Sequence, residues 1–167
     1  PEVEHTKHGM RVLENFLFSV CNAEKSWKIK DVKEALIKEL QNKIGDKRVM
    51  IGVSGGVDSL VAATLLHEAI GDRLYCVFID TGLMRKNEGK QVQDLFKSLQ
   101  FHNFYTVEAE TEFLAKLEGV VEPEEKRKTF ATVYFEIFSK QANELRQDKH
   151  IDFLAQGTIY PDRIEAG

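Results

Sequence analysis

The chain has 167 residues, of which 43% are hydrophobic and 30% charged, and its formal net charge at pH 7 is −4. This length suits a single domain with a sizeable core. The acidic balance argues against binding of nucleic acid. No apolar run reaches the ~18–20 residues of a membrane span. We therefore expect neither a nucleic acid nor a membrane as a partner. Cys21 and Cys76 lie far apart in apolar segments, which favours buried free thiols in a reducing cytoplasm.

The first part of the chain is predicted to be helical. An apolar stripe predicts a helix over residues 8–22, and a polar link over 22–28 contains the only tryptophan. A second helix is predicted over 29–44, ending before Gly45, because glycine is common just after a helix end. The residues of the stripe are Met10, Leu13, Phe16, Leu17 and Val20.

From residue 48 onwards, strand patterns alternate with helical patterns. The predicted strands are 48–53, 74–79, 103–108 and 152–155, and the predicted helices are 58–70, 88–100 and 122–147. Gly71 ends the first of these helices and Pro123 opens the last. The alternation predicts an α/β fold, a doubly wound parallel sheet with helices on both faces.

Three polar segments are candidates for a ligand-binding site: residues 54–58, 80–88 and 156–162. Each contains glycine and directly follows a predicted strand. Ligands of doubly wound sheets bind at the carboxyl ends of the strands. The three segments are therefore expected to converge at one edge of the sheet.

The most informative segment is RVMIGVSGGVDSLVAATLLHEAI, residues 48–70. A strand leads into Ser54, Gly55 and Gly56, and a helix follows. Adjacent glycines permit positive φ and close approach of a ligand to the backbone, and the helix N-terminus favours an anion. The pattern predicts a phosphate-binding loop. It is neither a Walker A loop, because no lysine lies between Arg48 and Gly71, nor the dinucleotide fingerprint, whose glycines are spaced differently.

Asp58 lies in the predicted first turn of the helix, where a phosphate would bind. Two anions at one helix N-terminus repel each other unless a cation lies between them, so Asp58 indicates Mg²⁺. The alternative is that Asp58 only caps the helix. We favour the metal because Ser54 and Ser59 flank the loop.

The motif SGGVDS resembles the pyrophosphate-binding loop of the ATP pyrophosphatase (PP-loop) superfamily, whose members split ATP between its α and β phosphates. Three further segments resemble motifs of the GMP synthase (glutamine-hydrolysing) family. They are VFIDTGLMRKNE at 77–88, VEPEEKRK at 121–128 and FLAQGTIYPDRIE at 153–165. Four motifs in one order identify the chain as similar to this family far more specifically than the loop alone.

The N-terminal segment PEVEHTKHGMRVLENFLFSVC resembles the end of the family's glutaminase domain. Glu2 matches the glutamate of its catalytic triad, but the matching histidine and cysteine are missing, so we expect no glutaminase chemistry here. We assign residues 1–27 to the tail of that domain and a linker, and 28–167 to an ATP pyrophosphatase domain that is incomplete at its C-terminus. The resemblance implies a homodimer for the full-length enzyme.

The resemblance also implies the reaction. Xanthosine monophosphate attacks the α-phosphate of Mg·ATP, pyrophosphate leaves, and ammonia from a glutaminase domain displaces AMP to give GMP. The implied cofactors are ATP and Mg²⁺. The pyrophosphate loop comprises Ser54, Gly55, Gly56, Val57, Asp58, Ser59 and Leu60. Leu60 replaces the usual serine or threonine, which removes one possible hydroxyl contact, although a backbone contact would survive.

The remaining site residues follow from the same resemblance. The backbone of Val77 and Ile79 is expected to hold adenine, and Gln156 and Gly157 are expected near the nucleotide. Asp162 is a second metal candidate. Arg127 matches the arginine that contacts xanthosine monophosphate, and we assign catalytic roles to Asp58 and Arg127. The candidates for neutralising the leaving charge are Arg85, Lys86, Lys126, Arg127 and Lys128. For the helical run 126–128, the alternative is a solvated charged face.

The aromatic residues of the long helix, Phe130, Tyr134, Phe135 and Phe138, recur at helical spacing, which favours helix core over base stacking. Two other functions stay open. One is another PP-loop synthetase, such as ammonia-dependent NAD synthetase, against which the three later motifs argue. The other is a nucleotide-binding module that has no turnover by itself.

Overall fold

A computed structural model describes residues 2–26 and 28–158. The chain forms two compact units, residues 1–35 and 36–167. The first unit contains α1 (Glu2–His5), α2 (Gly9–Glu14) and a π-helical segment (Asn15–Val20). None of the helices within the described residues has both the length and the apolar character that crossing a membrane requires. The assignment of residues 1–27 to a glutaminase domain stays a prediction.

The predicted apolar stripe of the first unit is helical, but its side chains are exposed, from 42% for Leu13 to 69% for Val20. Cys21 is also exposed, so the prediction of two buried thiols is wrong for this residue. A segment of this size is too short to enclose a core of its own. Trp27 lies outside the described residues.

The second unit carries the alternating elements. In chain order they are α3 (Ile29–Ile44, of which the second half belongs here), β1 (Val49–Val53), α4 (Val57–Ile70), a 3₁₀ turn (Gly71–Arg73), β2 (Leu74–Asp80), α5 (Glu88–Ser98), β3 (Phe104–Glu108), α6 (Glu110–Leu117), α7 (Pro123–Lys149) and β4 (Phe153–Ala155). Every predicted strand and helix of this unit is present. Helix α6 was not predicted, because its eight residues are too few for a clear helical period.

The four strands form one parallel sheet in the order β3-β2-β1-β4. From β1 the chain moves outward through β2 to β3, and it then returns to the other side of β1 for β4. This reversal creates a switch point between β1 and β4, which is the preferred ligand position in such sheets. The predicted fold class, a doubly wound parallel α/β sheet, is confirmed.

Alternate side chains of the central strands enter two separate cores. Leu74, Cys76 and Phe78 join the cluster that contains helices α3, α4 and α5. Tyr75 and Val77 join the cluster that contains α6 and α7. Helices therefore cover both faces of the sheet, which explains why β2 is apolar throughout.

Candidate functional site

The glycine-rich turn joins β1 to α4 at the carboxyl end of the sheet. Gly56 is the N-cap residue of α4 and has an extended backbone, with φ −73° and ψ 157°. Gly55 has φ +79°, and a Cβ placed on it would lie 2.5 Å from Cγ2 of Val92. Only glycine meets both the conformational and the steric requirement.

Two serines fix the shape of this turn. The hydroxyl of Ser59 donates to the carbonyl of Gly56 at 3.0 Å, and the N–H of Ser54 donates to the Ser59 oxygen at 3.2 Å. The hydroxyls of Ser54 and Ser59 lie 3.3 Å apart. These bonds link the strand end to the helix start and brace the turn.

The first turn of α4 presents free backbone donors. The N–H groups of Val57, Asp58 and Ser59 have no carbonyl partner within the helix, as is usual for a helix N-terminus. Leu60 differs, because its N–H donates to the carbonyl of Gly56 at 3.1 Å and its side chain packs against the core. Leu60 therefore offers a ligand neither a free N–H nor a polar side chain, which argues against the backbone contact expected for it.

Asp58 lies in the first helical turn and is exposed. It is not the N-cap residue, and no side chain caps α4, so the alternative that Asp58 only caps the helix is wrong. Its carboxylate forms no hydrogen bond or ion pair with the described residues. No group of three or more metal-ligating side chains occurs within residues 2–26 and 28–158, so the described residues alone do not form a cage of three or more protein ligands around Asp58.

A hollow of about 410 Å³ lies beyond the ends of β1 and β2. It is lined by Val53, Ser54, Phe78, Ile79, Thr81, Leu83, Met84, Arg85, Glu88, Phe130 and Tyr134. We call it the β2 hollow. Its lining joins the first and second predicted polar segments, whose convergence is thereby confirmed.

The backbone of Ile79 faces the β2 hollow. The N–H of Cys76 donates to the carbonyl of Asn103, and the carbonyl of Asp80 accepts from the N–H of Ala109, both at 2.8 Å, so these residues of β2 face β3. Because the backbone N–H and C=O groups of successive residues in a strand point to opposite neighbouring strands, those of Ile79 point to the side of β1. Pairing with β1 ends at Val53 opposite Phe78, which leaves the Ile79 carbonyl beyond that pairing.

Val77 occupies a different environment. It lies three residues before the end of β2, its side chain is fully buried, and Gly52 of β1 is its partner in the sheet. Of the two residues predicted to hold adenine, only Ile79 lines the β2 hollow.

A second hollow of about 210 Å³ lies at the switch point between β1 and β4. It is lined by Gly52, Ser54, Ser59, Tyr134, Phe138, Gln156 and Gly157. We call it the switch-point hollow. A Cβ placed on Gly157 would lie 3.4 Å from the carbonyl oxygen of Asp58, so the third polar segment reaches the loop as predicted. Asp162 lies outside the described residues.

The candidate cations are distributed unevenly. Arg85 lines the β2 hollow. Lys126 and Arg127 line a neighbouring apolar hollow of about 480 Å³ together with Leu83, Leu114, Leu117 and Phe130. Arg127 also forms an ion pair with Glu124, one turn earlier on α7. Lys86 and Lys128 are exposed and line none of these three hollows.

The aromatic residues of α7 divide into two groups. Phe138 is buried in the core, as predicted, but Phe135 is 71% exposed, so the prediction of helix core is wrong for it. Phe130 and Tyr134 line the hollows as well as packing on the core. Helical spacing predicts that these residues share a face of α7. It does not predict that the part with Phe130 and Tyr134 extends past the strand ends and lines the hollows.

Apart from Arg85, sequence reasoning did not identify the individual residues that form the wall after β2. Thr81 is almost fully buried, and its hydroxyl accepts from the N–H of Leu83 at 3.3 Å. Glu88 fixes the same segment by accepting from the N–H of Arg85 at 2.9 Å. The sequence signal that could have identified Thr81 and Glu88 is their position in the loop directly after a buried strand, where ligands of such sheets bind.

The doubly wound sheet and the lysine-free glycine loop at its carboxyl edge define a PP-loop α/β domain. The chain belongs to the NAD synthase family, whose family model matches residues 28–132. The fold agrees with that of NH3-dependent NAD synthetase from Campylobacter jejuni, at a TM-score of 0.60 and 17% identity over 84% of this chain and 72% of that one. For a glutamine-dependent NAD+ synthetase from Acinetobacter baumannii, the TM-score is 0.59 and the sequence identity is 15%, over 73% of this chain and 25% of that one.

Curated relatives are more similar in sequence. GMP synthase [glutamine-hydrolyzing] from Clostridium tetani is 48% identical over 167 residues, which are 100% of this chain and 32% of that enzyme. The GMP synthase from Vibrio vulnificus is 48% identical over 166 residues, 99% of this chain and 32% of that enzyme. The chain thus spans about a third of the length of these relatives, and the resemblance to the GMP synthase family predicted from four motifs is confirmed.

Proposed function

We propose that this chain is the ATP-binding part of a GMP synthase, and that it holds Mg·ATP for adenylation of xanthosine monophosphate. The main support is the loop of residues 54–59, which combines a positive-φ glycine, a fixed serine pair and free N–H groups at a helix N-terminus. Such a loop binds the pyrophosphate part of ATP through the backbone. No lysine is required for this contact.

Asp58 fits a magnesium site of one particular kind. Mg²⁺ in nucleotide sites commonly keeps several waters and uses one or two carboxylates together with substrate phosphates. A single exposed carboxylate beside the phosphate loop suits this arrangement, and Asp162 is proposed as a second ligand. When bound, the metal neutralises charge on the leaving pyrophosphate. The chain's own loop positions that group.

The nucleoside is assigned to the β2 hollow, whose volume and apolar walls suit a purine. We propose that the Ile79 backbone contacts adenine there and that Gln156 and Gly157 adjoin the phosphates. Val77 contributes only as support beneath this site, because its backbone is paired with Gly52 in the sheet and it does not line the hollow.

Xanthosine monophosphate is assigned to the hollow beside Arg127, whose planar guanidinium suits a phosphate or an oxidised purine edge. In the proposed reaction, the base oxygen displaces pyrophosphate from the α-phosphate, and ammonia then displaces AMP. The ammonia is proposed to come from a glutaminase domain. The full-length enzyme is proposed to be a cytoplasmic homodimer.

A second candidate is NAD synthetase activity, because the matching family model and the structural neighbours carry that name. The three motifs after the loop and 48% identity to GMP synthases favour xanthosine monophosphate. A nucleotide-binding function without turnover also stays open for this chain by itself. Binding of the two acceptors distinguishes the first two candidates, and an assay of GMP formation with added ammonia tests the third.

The first test is calorimetry with a non-hydrolysable ATP analogue, with and without Mg²⁺. Asp58→Asn should weaken the Mg²⁺-dependent binding about tenfold or more, the loss typical of altered metal-site residues. Asp94→Asn is the matched control, because Asp94 is an exposed carboxylate of α5 that lines none of the three hollows. Equal Mg²⁺-dependent affinities in the two variants would contradict the metal assignment.

The second test adds the acceptor to the analogue-bound chain. Xanthosine monophosphate should bind, and Arg127→Ala should weaken it about tenfold, as expected for loss of a charge-assisted contact. Arg146→Ala, an exposed arginine near the other end of α7, should leave binding unchanged. Binding of nicotinate adenine dinucleotide in place of xanthosine monophosphate would support the second candidate.

A further inference from the structure

Tyr134 lies between the two hollows of the ATP site. It lines the β2 hollow together with Ile79, and it lines the switch-point hollow together with Gln156. The two linings share only Ser54 and Tyr134. The two hollows therefore adjoin each other at these two residues.

The ring of Tyr134 is held by its neighbours on α7. Phe130 and Phe138 stack on it at centroid distances of 6.3 and 6.2 Å and interplanar angles of 18° and 10°. Its hydroxyl points toward β1, 3.6 Å from the position of a Cβ on Gly52. The hydroxyl has no hydrogen-bond partner within the described residues, and it remains accessible because they contain no fully buried unpaired polar atom.

This hydroxyl is a neutral donor at physiological pH. Burial raises the pKa of Tyr134 above its ordinary value, so the phenol stays protonated. A half-buried donor without a partner gains more from an anionic acceptor than an exposed one does, because less water competes for it.

We propose that the Tyr134 hydroxyl donates a hydrogen bond to the α-phosphate of bound ATP and positions this phosphoryl group between the two hollows. The inference rests on the proposed function, which places adenosine in the β2 hollow and pyrophosphate at residues 54–59. The α-phosphate links these two parts of ATP. It therefore lies where the hollows meet, beside Ser54 and Tyr134.

The alternative is that Tyr134 only packs on the core. A packing role requires the ring but not the oxygen, since the apolar contacts of Tyr134 are made by the ring. Tyr134→Phe separates the two roles, because it keeps the ring and removes the hydroxyl. Tyr105→Phe is the matched control: Tyr105 is a partly buried tyrosine of β3 that joins the same core cluster and lines none of the three hollows.

The test measures binding of adenosine, AMP, pyrophosphate and a non-hydrolysable ATP analogue by calorimetry in the presence of Mg²⁺. Tyr134→Phe should weaken AMP and the ATP analogue about tenfold, because the lost bond has a charged acceptor. Binding of adenosine and pyrophosphate should stay within about twofold of the wild type, since neither contains the α-phosphate. Tyr105→Phe should leave all four affinities unchanged.

Several results would overturn the proposal. If Tyr134→Phe binds AMP as tightly as the wild type does, the hydroxyl makes no phosphate contact. If adenosine and AMP weaken equally, the residue supports the nucleoside rather than the phosphate. If the wild-type chain binds none of the four ligands, the proposed function itself fails and this inference fails with it.

Discussion

Gly55→Ala tests whether the loop depends on the backbone of one residue. The native φ of +79° would be strained for alanine, and the left-handed region costs a non-glycine residue about 1–2 kcal/mol. The new Cβ would also lie 2.5 Å from Cγ2 of Val92, and overpacking of this kind adds about 1–3 kcal/mol. We therefore expect a loss of stability of about 2–5 kcal/mol together with weaker ATP binding, because relief of the clash moves the loop.

Gly45→Ala provides a matched control. Gly45 has φ +62°, but nothing lies within 4 Å of a Cβ placed there. Only the backbone term of about 1–2 kcal/mol applies, and nucleotide affinity should not change. Urea unfolding gives the stabilities and calorimetry the affinities.

Val92→Ala in the Gly55→Ala background isolates the steric part. The double variant should be about 1–2 kcal/mol more stable than the sum of the two single effects predicts, because removing the branched side chain relieves the clash. Part of the nucleotide affinity should also return. The steric reasoning is refuted if Gly55→Ala destabilises no more than Gly45→Ala, or if the double variant is additive.

Three further predictions concern the serine pair, the core and the thiols. Ser59→Ala should cost about 1 kcal/mol in urea unfolding and weaken ATP binding in calorimetry, because it removes the bonds that fix the loop. Phe96→Ala should cost about 3–5 kcal/mol in urea unfolding, whereas Phe135→Ala, at a site 71% exposed, should have a small effect. A disulfide reagent should titrate only Cys21 in the folded chain, because burial raises the pKa of Cys76 to about 12. In the unfolded chain the pKa of the Cys76 thiol is about 9, so the contribution of Cys76 to stability should fall as the pH rises above 9. Cys76→Ala should remove this fall from the pH dependence of urea unfolding.

The strands were predictable because the physical signal for each was local. Fully apolar runs such as 74–79 predict strands covered on both faces, and glycines at 45 and 71 mark helix ends. The convergence of three loops followed from the rule that parallel strands present their carboxyl ends at one edge.

Other features depend on tertiary contacts that no local pattern records. The exposed Cys21 looked buried because its neighbours are apolar, yet the small first unit leaves that face open. The place of Tyr134 between two hollows depends on how α7 packs against Gly52 of β1. Helical spacing alone did not distinguish it from Phe138.

Amide NMR of the isotopically labelled chain, titrated with magnesium pyrophosphate, tests whether the loop of residues 54–59 binds pyrophosphate through its backbone. We expect the largest shift changes at the backbone N–H groups of Gly55, Val57, Asp58 and Ser59, with the amides of β3 little affected. If saturating pyrophosphate leaves these four amides unchanged, the loop does not bind pyrophosphate.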